Sequence, residues 1–210
     1  MLKRWILYLL IIVIFQINPS IAPIEEPFYL KHPIHETIKV TLLYSPSSPP
    51  NFNALQSFGK LLLDYNICNT VEFSYTIRDC STNAWDTSLL ILYEQKFLMQ
   101  QLTTELNDLH ILYVSGHYIP PLFDAAGLAY APNSFAIFTD QTPDALEASI
   151  LLHEFGHLLK FIKQIERGPP ANPIRPDHCN NQNCVMYWMV SRPDKRFDLQ
   201  CMVDIKRKYE

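Results

Sequence analysis

Two histidines four residues apart, with a glutamate directly after the first, form the stretch His153-Glu154-Phe155-Gly156-His157. On a helix, residues at this spacing lie one turn apart on the same face. The two imidazoles then point at one spot, at a separation that a single zinc ion can bridge. Glu154 is rotated off that line. It can reach a water held by the metal rather than the metal itself, which is where a general base has to stand. That is the mechanical content of a His-Glu-x-x-His pattern. The bland alternative, an amphipathic helix with two surface histidines, leaves the intervening glutamate without a role.

A catalytic zinc takes three protein ligands and keeps one position for water, so a third ligand must come from elsewhere. Glu166 lies nine residues beyond His157, about 13 Å along a helix axis, and is too far. His178 fits better. A helix running to Arg167 would end about 15 Å past the metal level, and the eleven residues from Gly168 to His178 can span up to ~35 Å and return. Pro169, Pro170, Pro173 and Pro176 stiffen that return. Asp177, beside His178, is the alternative ligand.

Directly after His178 come Cys179, four residues, Cys184, Val185 and Met186. With these residues the chain resembles the archaemetzincin family, whose signature joins a zinc helix to a His-Cys pair, four residues, Cys, one residue and Met, then a distal Cys-x-x-Cys. Tyr118-Ile119-Pro120 and Gly127-Leu128-Ala129 are similar to the family's stretch leading into its substrate edge strand. The resemblance covers most of Thr37 to Asp204, and its specific part is residues 153–157 and 178–186. It implies a metzincin-like α/β (or α+β) fold: a mixed twisted sheet, a long central zinc-binding helix and an irregular, cysteine-containing C-terminal subdomain. It implies peptide-bond hydrolysis, zinc on His153, His157 and His178, Glu154 as base, and Met186 as the turn residue beneath the metal. It further implies a second, structural zinc, since Cys179, Cys184 and Cys201 match three of the family's four cysteines. Asp204 stands where the fourth thiolate would be, and a disulfide among the three cysteines is the competing reading. The chain departs from the family where it carries Lys160 and Lys163 in place of a glycine and the third histidine. About fifteen residues are thereby inserted before His178, and without that glycine the helix is expected to run on.

The elements that must position these residues are readable from periodicity. Thr37–Tyr44 and Val71–Ile77 read as strands and His110–Ser115 as a short one. Asn53–Tyr65 carries Leu55, Phe58, Leu61 and Leu62 at helical spacing. Ser88–Leu106 is ambiguous at its start and helical from Tyr93. Gly127–Thr139 reads as two extended pieces broken at Pro132-Asn133. The zinc helix is expected from a Thr142 N-cap and Pro143 at its first position, through Ala145–Ile165, to a stop at Gly168-Pro169-Pro170.

A chain of 210 residues with 48% hydrophobic residues suits one domain with a proper core. A net charge of −4 argues against nucleic acid as partner. The N-terminus has Lys3 and Arg4, eleven apolar residues from Trp5 to Phe15, and small residues at Ser20 and Ala22. It reads as a signal peptide over residues 1–22, or an uncleaved anchor, with the peptidase domain over 23–210. The apolar run is short for a bilayer span. The domain is then secreted or extracytoplasmic, touching membrane only through that segment, and acts as a monomer on a peptide or protein substrate. Five cysteines face a compartment where disulfides persist. Cys68 and Cys80 flank one strand too widely to pair across it. The runner-up function is a non-enzymatic extracellular module with a structural zinc on the same helix.

Overall fold

The computed structural model describes residues 30–79, 82–98, 106–119, 125–160 and 178–210, together with the backbone of Val13–Ile14. The expected signal segment, Cys80, Glu166, the Gly168-Pro169-Pro170 stop and Asp177 lie outside the described residues, apart from that two-residue strand. No helix among the described residues is long and apolar enough to cross a membrane.

One mixed sheet organises the domain. Its strands are β1 (Val13–Ile14), β2 (His35–Tyr44), β3 (Cys68–Ile77), β5 (Asp108–Val114), β7 (Gly127–Ala131) and β8 (Ser134–Phe138), while β4 (Ala84–Trp85) and β6 (His117–Tyr118) form a separate pair. Across the sheet the order is β1-β3-β2-β5-β8-β7. The inner four strands run parallel, and β1 and β7 are antiparallel to them at the two edges. Parallel strands need crossovers, and α1 (Phe52–Asp64) and α2 (Thr87–Leu98) fill two of them.

Period-two alternation sorts the side chains into two cores. Val40, Leu42, Ile111, Tyr113, Phe135 and Ile137 face α1 and the later helix α3 (Glu147–Leu159). Leu43, Leu112, Val114, Ala136 and Phe138 face Trp85 and Leu90, and so α2. Every residue of β8 is buried, as expected of a strand covered on both faces. In α1 the Asn51 side chain accepts from the Asn53 and Ala54 backbone N–H groups, a side-chain cap of the kind that favours helix initiation. The segment whose start was ambiguous is helical from Thr87.

The boundaries of α3 differ from expectation at both ends. Thr142 does not cap α3; its hydroxyl donates to the Ala126 carbonyl at 3.0 Å, and Pro143 belongs to a turn closed by Leu146 N–H onto the Pro143 carbonyl at 2.8 Å. Nor does the helix run on. It ends at Leu159, and Lys160 takes the left-handed conformation at φ 50°, ψ 36°. A non-glycine residue there costs about 1–2 kcal/mol. The offset comes from the chain's far end, where α4 (Leu199–Tyr209) lies. Lys208 Nζ and Tyr209 Oη both donate to the Leu159 carbonyl, the latter at 3.2 Å, which supplies a terminal carbonyl with partners it lacks within the helix. Lys208 is exposed, and its amine is thereby tied to α3.

Candidate metal centre

His153 and His157 stand on one face of α3, and His178 begins the described C-terminal segment and comes back to meet them. Ring centroids are 4.8 Å apart for His153–His157, 5.1 Å for His153–His178 and 4.8 Å for His157–His178. One ligand nitrogen from each lies within 4.8 Å of the others. The Nε2 atoms of His153 and His157 are 3.1 Å apart. Two imidazoles bound tetrahedrally to zinc at about 2.0–2.1 Å would hold their nitrogens roughly 3.3 Å apart. His153 donates from Nδ1 to the Val185 carbonyl at 2.6 Å, which fixes the tautomer and leaves a bare lone pair on Nε2. The His157 ring is held down to about 2, first by burial and then by the neighbouring His153 and His178, so it stays neutral. Three imidazoles, each turning one ligand nitrogen toward the same point, fit a divalent cation. Among the described residues no fourth His, Cys or carboxylate joins the group.

Glu154 is buried at 5% exposure. Its carboxyl is pushed up to about 8 by burial, against the lowering effect of the Ala129 backbone N–H, which donates to Oε2 at 2.9 Å. A β-carbon on Gly127 would stand 2.7 Å from Glu154 Oε1 and Cγ, so only glycine lets this strand lie so close to the carboxyl. Gly127, Leu128 and Ala129 occupy the antiparallel edge strand β7, where the sequence reading puts the substrate strand. These residues, the three histidines and the Trp188–Val190 segment line an open cleft of about 1290 Å³.

Beneath the helix, Met186 is fully buried. Its Sδ would lie 2.2 Å from a β-carbon on Gly156. The turn that carries it is closed by Cys179 N–H onto the Met186 carbonyl at 2.8 Å.

The cysteines gather at a second point. Ligand atoms of Cys179, Cys184, Cys201 and Asp198 all lie within 4.8 Å of one another. Asp198, not Asp204, stands with the three sulfurs; Asp204 sits along α4 and accepts from the Gln200 amide at 3.1 Å. The reason is a helix start that the spacing does not announce. Asp198 is the N-cap of α4 and accepts from the Cys201 N–H at 2.8 Å, so its other oxygen turns to Cys179 Sγ at 3.3 Å. The sulfurs of Cys184 and Cys201 are 3.5 Å apart. That is far outside a disulfide bond length of about 2.05 Å and close to the roughly 3.7 Å edge of a zinc–thiolate tetrahedron. All four described cysteines are free thiols. Backbone N–H groups of Asn181, Met186 and Asp198 donate to Cys179 or Cys184 sulfur at 3.4–3.5 Å. Hydrogen bonds from Cys184 and Cys201 push the Cys179 thiol down, and Cys179 pushes its two partners up. This donor set also fits a zinc ion. Cys68 is buried at the start of β3, its thiol pushed up to about 12 by desolvation.

Comparison with known proteins agrees with this architecture. No protein-family model and no curated protein matches the sequence. Among solved structures, archaemetzincin from Methanopyrus kandleri superposes with a TM-score of 0.55 at 17% identity, over 81% of this chain and 94% of that one. Metalloproteinase-II from Bacteroides fragilis is matched more loosely, with a TM-score of 0.49 at 17% identity over 85% of this chain and 55% of that one. The protein is thus a mixed α/β domain built around a histidine-bearing helix. More narrowly, its fold is archaemetzincin-like.

Proposed function

We propose that the chain is a zinc-dependent metallopeptidase that hydrolyses peptide bonds with Glu154 as general base. The observation that carries this reading is the convergence of His153, His157 and His178 on one point, open toward a cleft, with a buried carboxyl alongside. Zinc, when bound, supplies a Lewis acid for the scissile carbonyl and acidifies the attacking water. Glu154 takes the water's proton and returns it to the leaving amine. The Ala129 N–H on Oε2 orients the carboxyl and leaves Oε1 to carry that proton. The outer edge of β7 offers main-chain groups to an extended peptide, a mode of binding that demands few particular side chains. Residues 1–22 serve export in this reading, with the pairing of Val13–Ile14 on β3 confined to the uncleaved chain, and the enzyme acts outside the cytosol, as a monomer, on peptide or protein substrates.

A second zinc on Cys179, Cys184, Cys201 and Asp198 is structural, because four protein ligands leave no place for water. It braces the turn that delivers both His178 and Met186.

Zinc content and cleavage of a broad peptide library, measured on wild type and Glu154→Gln, test the proposal. Loss of a general base should reduce kcat by about 10²- to 10⁴-fold with zinc retained. A zinc-loaded wild type as inert as the variant would overturn catalysis in favour of the non-enzymatic module.

A further inference from the structure

The side of the sheet away from the metal holds a polar cluster that catalysis does not use. Glu94, on α2, is 1% exposed in an otherwise apolar layer. Its Oε1 accepts from Ser134 Oγ at 2.8 Å and from His110 Nδ1, and its Oε2 accepts from Tyr130 Oη at 2.7 Å. His110 and Ser134 are themselves buried, on β5 and β8. Tyr130 is on β7, one residue from Ala129. One carboxylate therefore ties together a helix and three strands, and every donor reaching it is buried or half-buried. A buried carboxylate is tolerable only when so satisfied.

Tyr130 occupies a special place. The pairing of β7 with β8 runs Gly127–Ile137, Leu128–Ala136 and Ala129–Phe135, then shifts so that Ala131 faces Ser134. Tyr130 is the residue skipped at this irregularity. Bulges free a residue from the ladder and re-aim its side chain, and they concentrate beside active sites. Left to the ladder alone, this end of an edge strand would be poorly fixed, since among the described residues β7 has a strand neighbour on one side only. Two side-chain tethers hold it instead, from opposite faces: Glu94 on Tyr130 beneath the sheet and Glu154 on Ala129 above it.

We infer that Glu94 and Tyr130 are positioning residues of the peptidase, setting the height of β7 over the metal face and with it the edge on which substrate pairs. The inference rests on the peptidase reading, but its first readout does not. In the zinc-loaded full chain, Tyr130→Phe keeps the ring in the apolar layer and deletes only the hydroxyl. Amide hydrogen exchange over residues 127–131 should then quicken while that over β5 does not. With substrate, KM should rise by about 3- to 10-fold, the net worth of one hydrogen bond, with kcat changed less. Glu94→Gln retains a carbonyl acceptor for Tyr130 and should keep KM nearer wild type than Glu94→Ala. Should Tyr130→Phe lower the melting temperature while leaving both exchange at 127–131 and KM untouched, the tether is ordinary core polarity and the inference is wrong. If the wild type cleaves nothing, the peptidase reading falls. Exchange in Tyr130→Phe then decides the tether alone, faster upholding it and unchanged refuting it.

Discussion

Met186 fills the space that a side chain on Gly156 would take: a β-carbon there would meet Met186 Sδ at 2.2 Å and Phe197 Cε1 at 3.0 Å. The glycine between the two zinc-helix histidines is therefore the seat of the turn below. Alanine is the better helix former by about 1 kcal/mol, but Met186 is fully buried and Phe197 nearly so, so the thioether cannot simply swing away. Overpacking of this kind costs about 1–3 kcal/mol. Gly156→Ala should lose up to about 2 kcal/mol in denaturant unfolding, and Met186→Ala should cost less in the Gly156→Ala chain than in wild type. A Gly156→Ala protein more stable than wild type would contradict this packing.

Lys160 is the converse case. Its φ of 50° is one that glycine takes freely, and the resemblance to archaemetzincins expects glycine there. Relief of about 1–2 kcal/mol of backbone strain outweighs the extra freedom glycine gives the unfolded chain, about 0.5–1 kcal/mol. Lys160→Gly should stabilise by about 0.5–1 kcal/mol, while Lys160→Val should destabilise. Thermal unfolding of the zinc-loaded proteins distinguishes them.

What the sequence reveals of the site follows from the range of the interactions that build it. His153, Glu154 and His157 were legible because the helix period alone puts them together. The longer strands β2, β3, β5, β7 and β8 were legible from apolar runs bounded by turn residues, whereas the two-residue pair β4 and β6 is too short to leave a pattern. His178 could be proposed from chain reach and from the motif around it. The helix end was not legible, since the groups that satisfy the Leu159 carbonyl lie at Lys208 and Tyr209, about fifty residues on. Asp198 escaped for a related reason: its place among the thiols depends on its capping α4, a helix the reading did not foresee. The Glu94 cluster draws one residue from each of four elements, so no local pattern announces it. A glutamate set among Leu90, Tyr93 and Phe97 was the only local sign.

The second metal group predicts a stoichiometry. Purified wild type should carry two zinc ions per chain, and Cys184→Ser should carry close to one. Cys179 and His178 are adjacent, and the Cys179 N–H closes the turn on Met186, so the remaining site should bind more weakly as well. Elemental analysis with a competing chelator measures both. Unchanged zinc in Cys184→Ser and in Asp198→Ala would refute a metal at the thiols.

Glu154 makes the metal-free protein sensitive to pH in a definite direction. Burial holds its carboxyl up to about 8, well above its ordinary value of 4.5. Between those values the folded state keeps a proton that the unfolded state has released. Its contribution to metal-free stability is therefore complete below about 4.5 and is lost as pH rises through about 8. A cation bound beside the carboxyl favours the charged form, so zinc binding at pH 7 must expel that proton. His157 adds no comparable release, being already neutral with its ring held down to about 2. Calorimetric zinc titration at pH 7, repeated in two buffers of different ionisation enthalpy, should report release of about one proton per zinc at the histidine site. The titration is best made in the Cys184→Ser background, so that this site alone is counted. Glu154→Gln has nothing to release and should fall by that one proton while still binding zinc. Equal release from both proteins would mean that Glu154 is already ionised before the metal arrives.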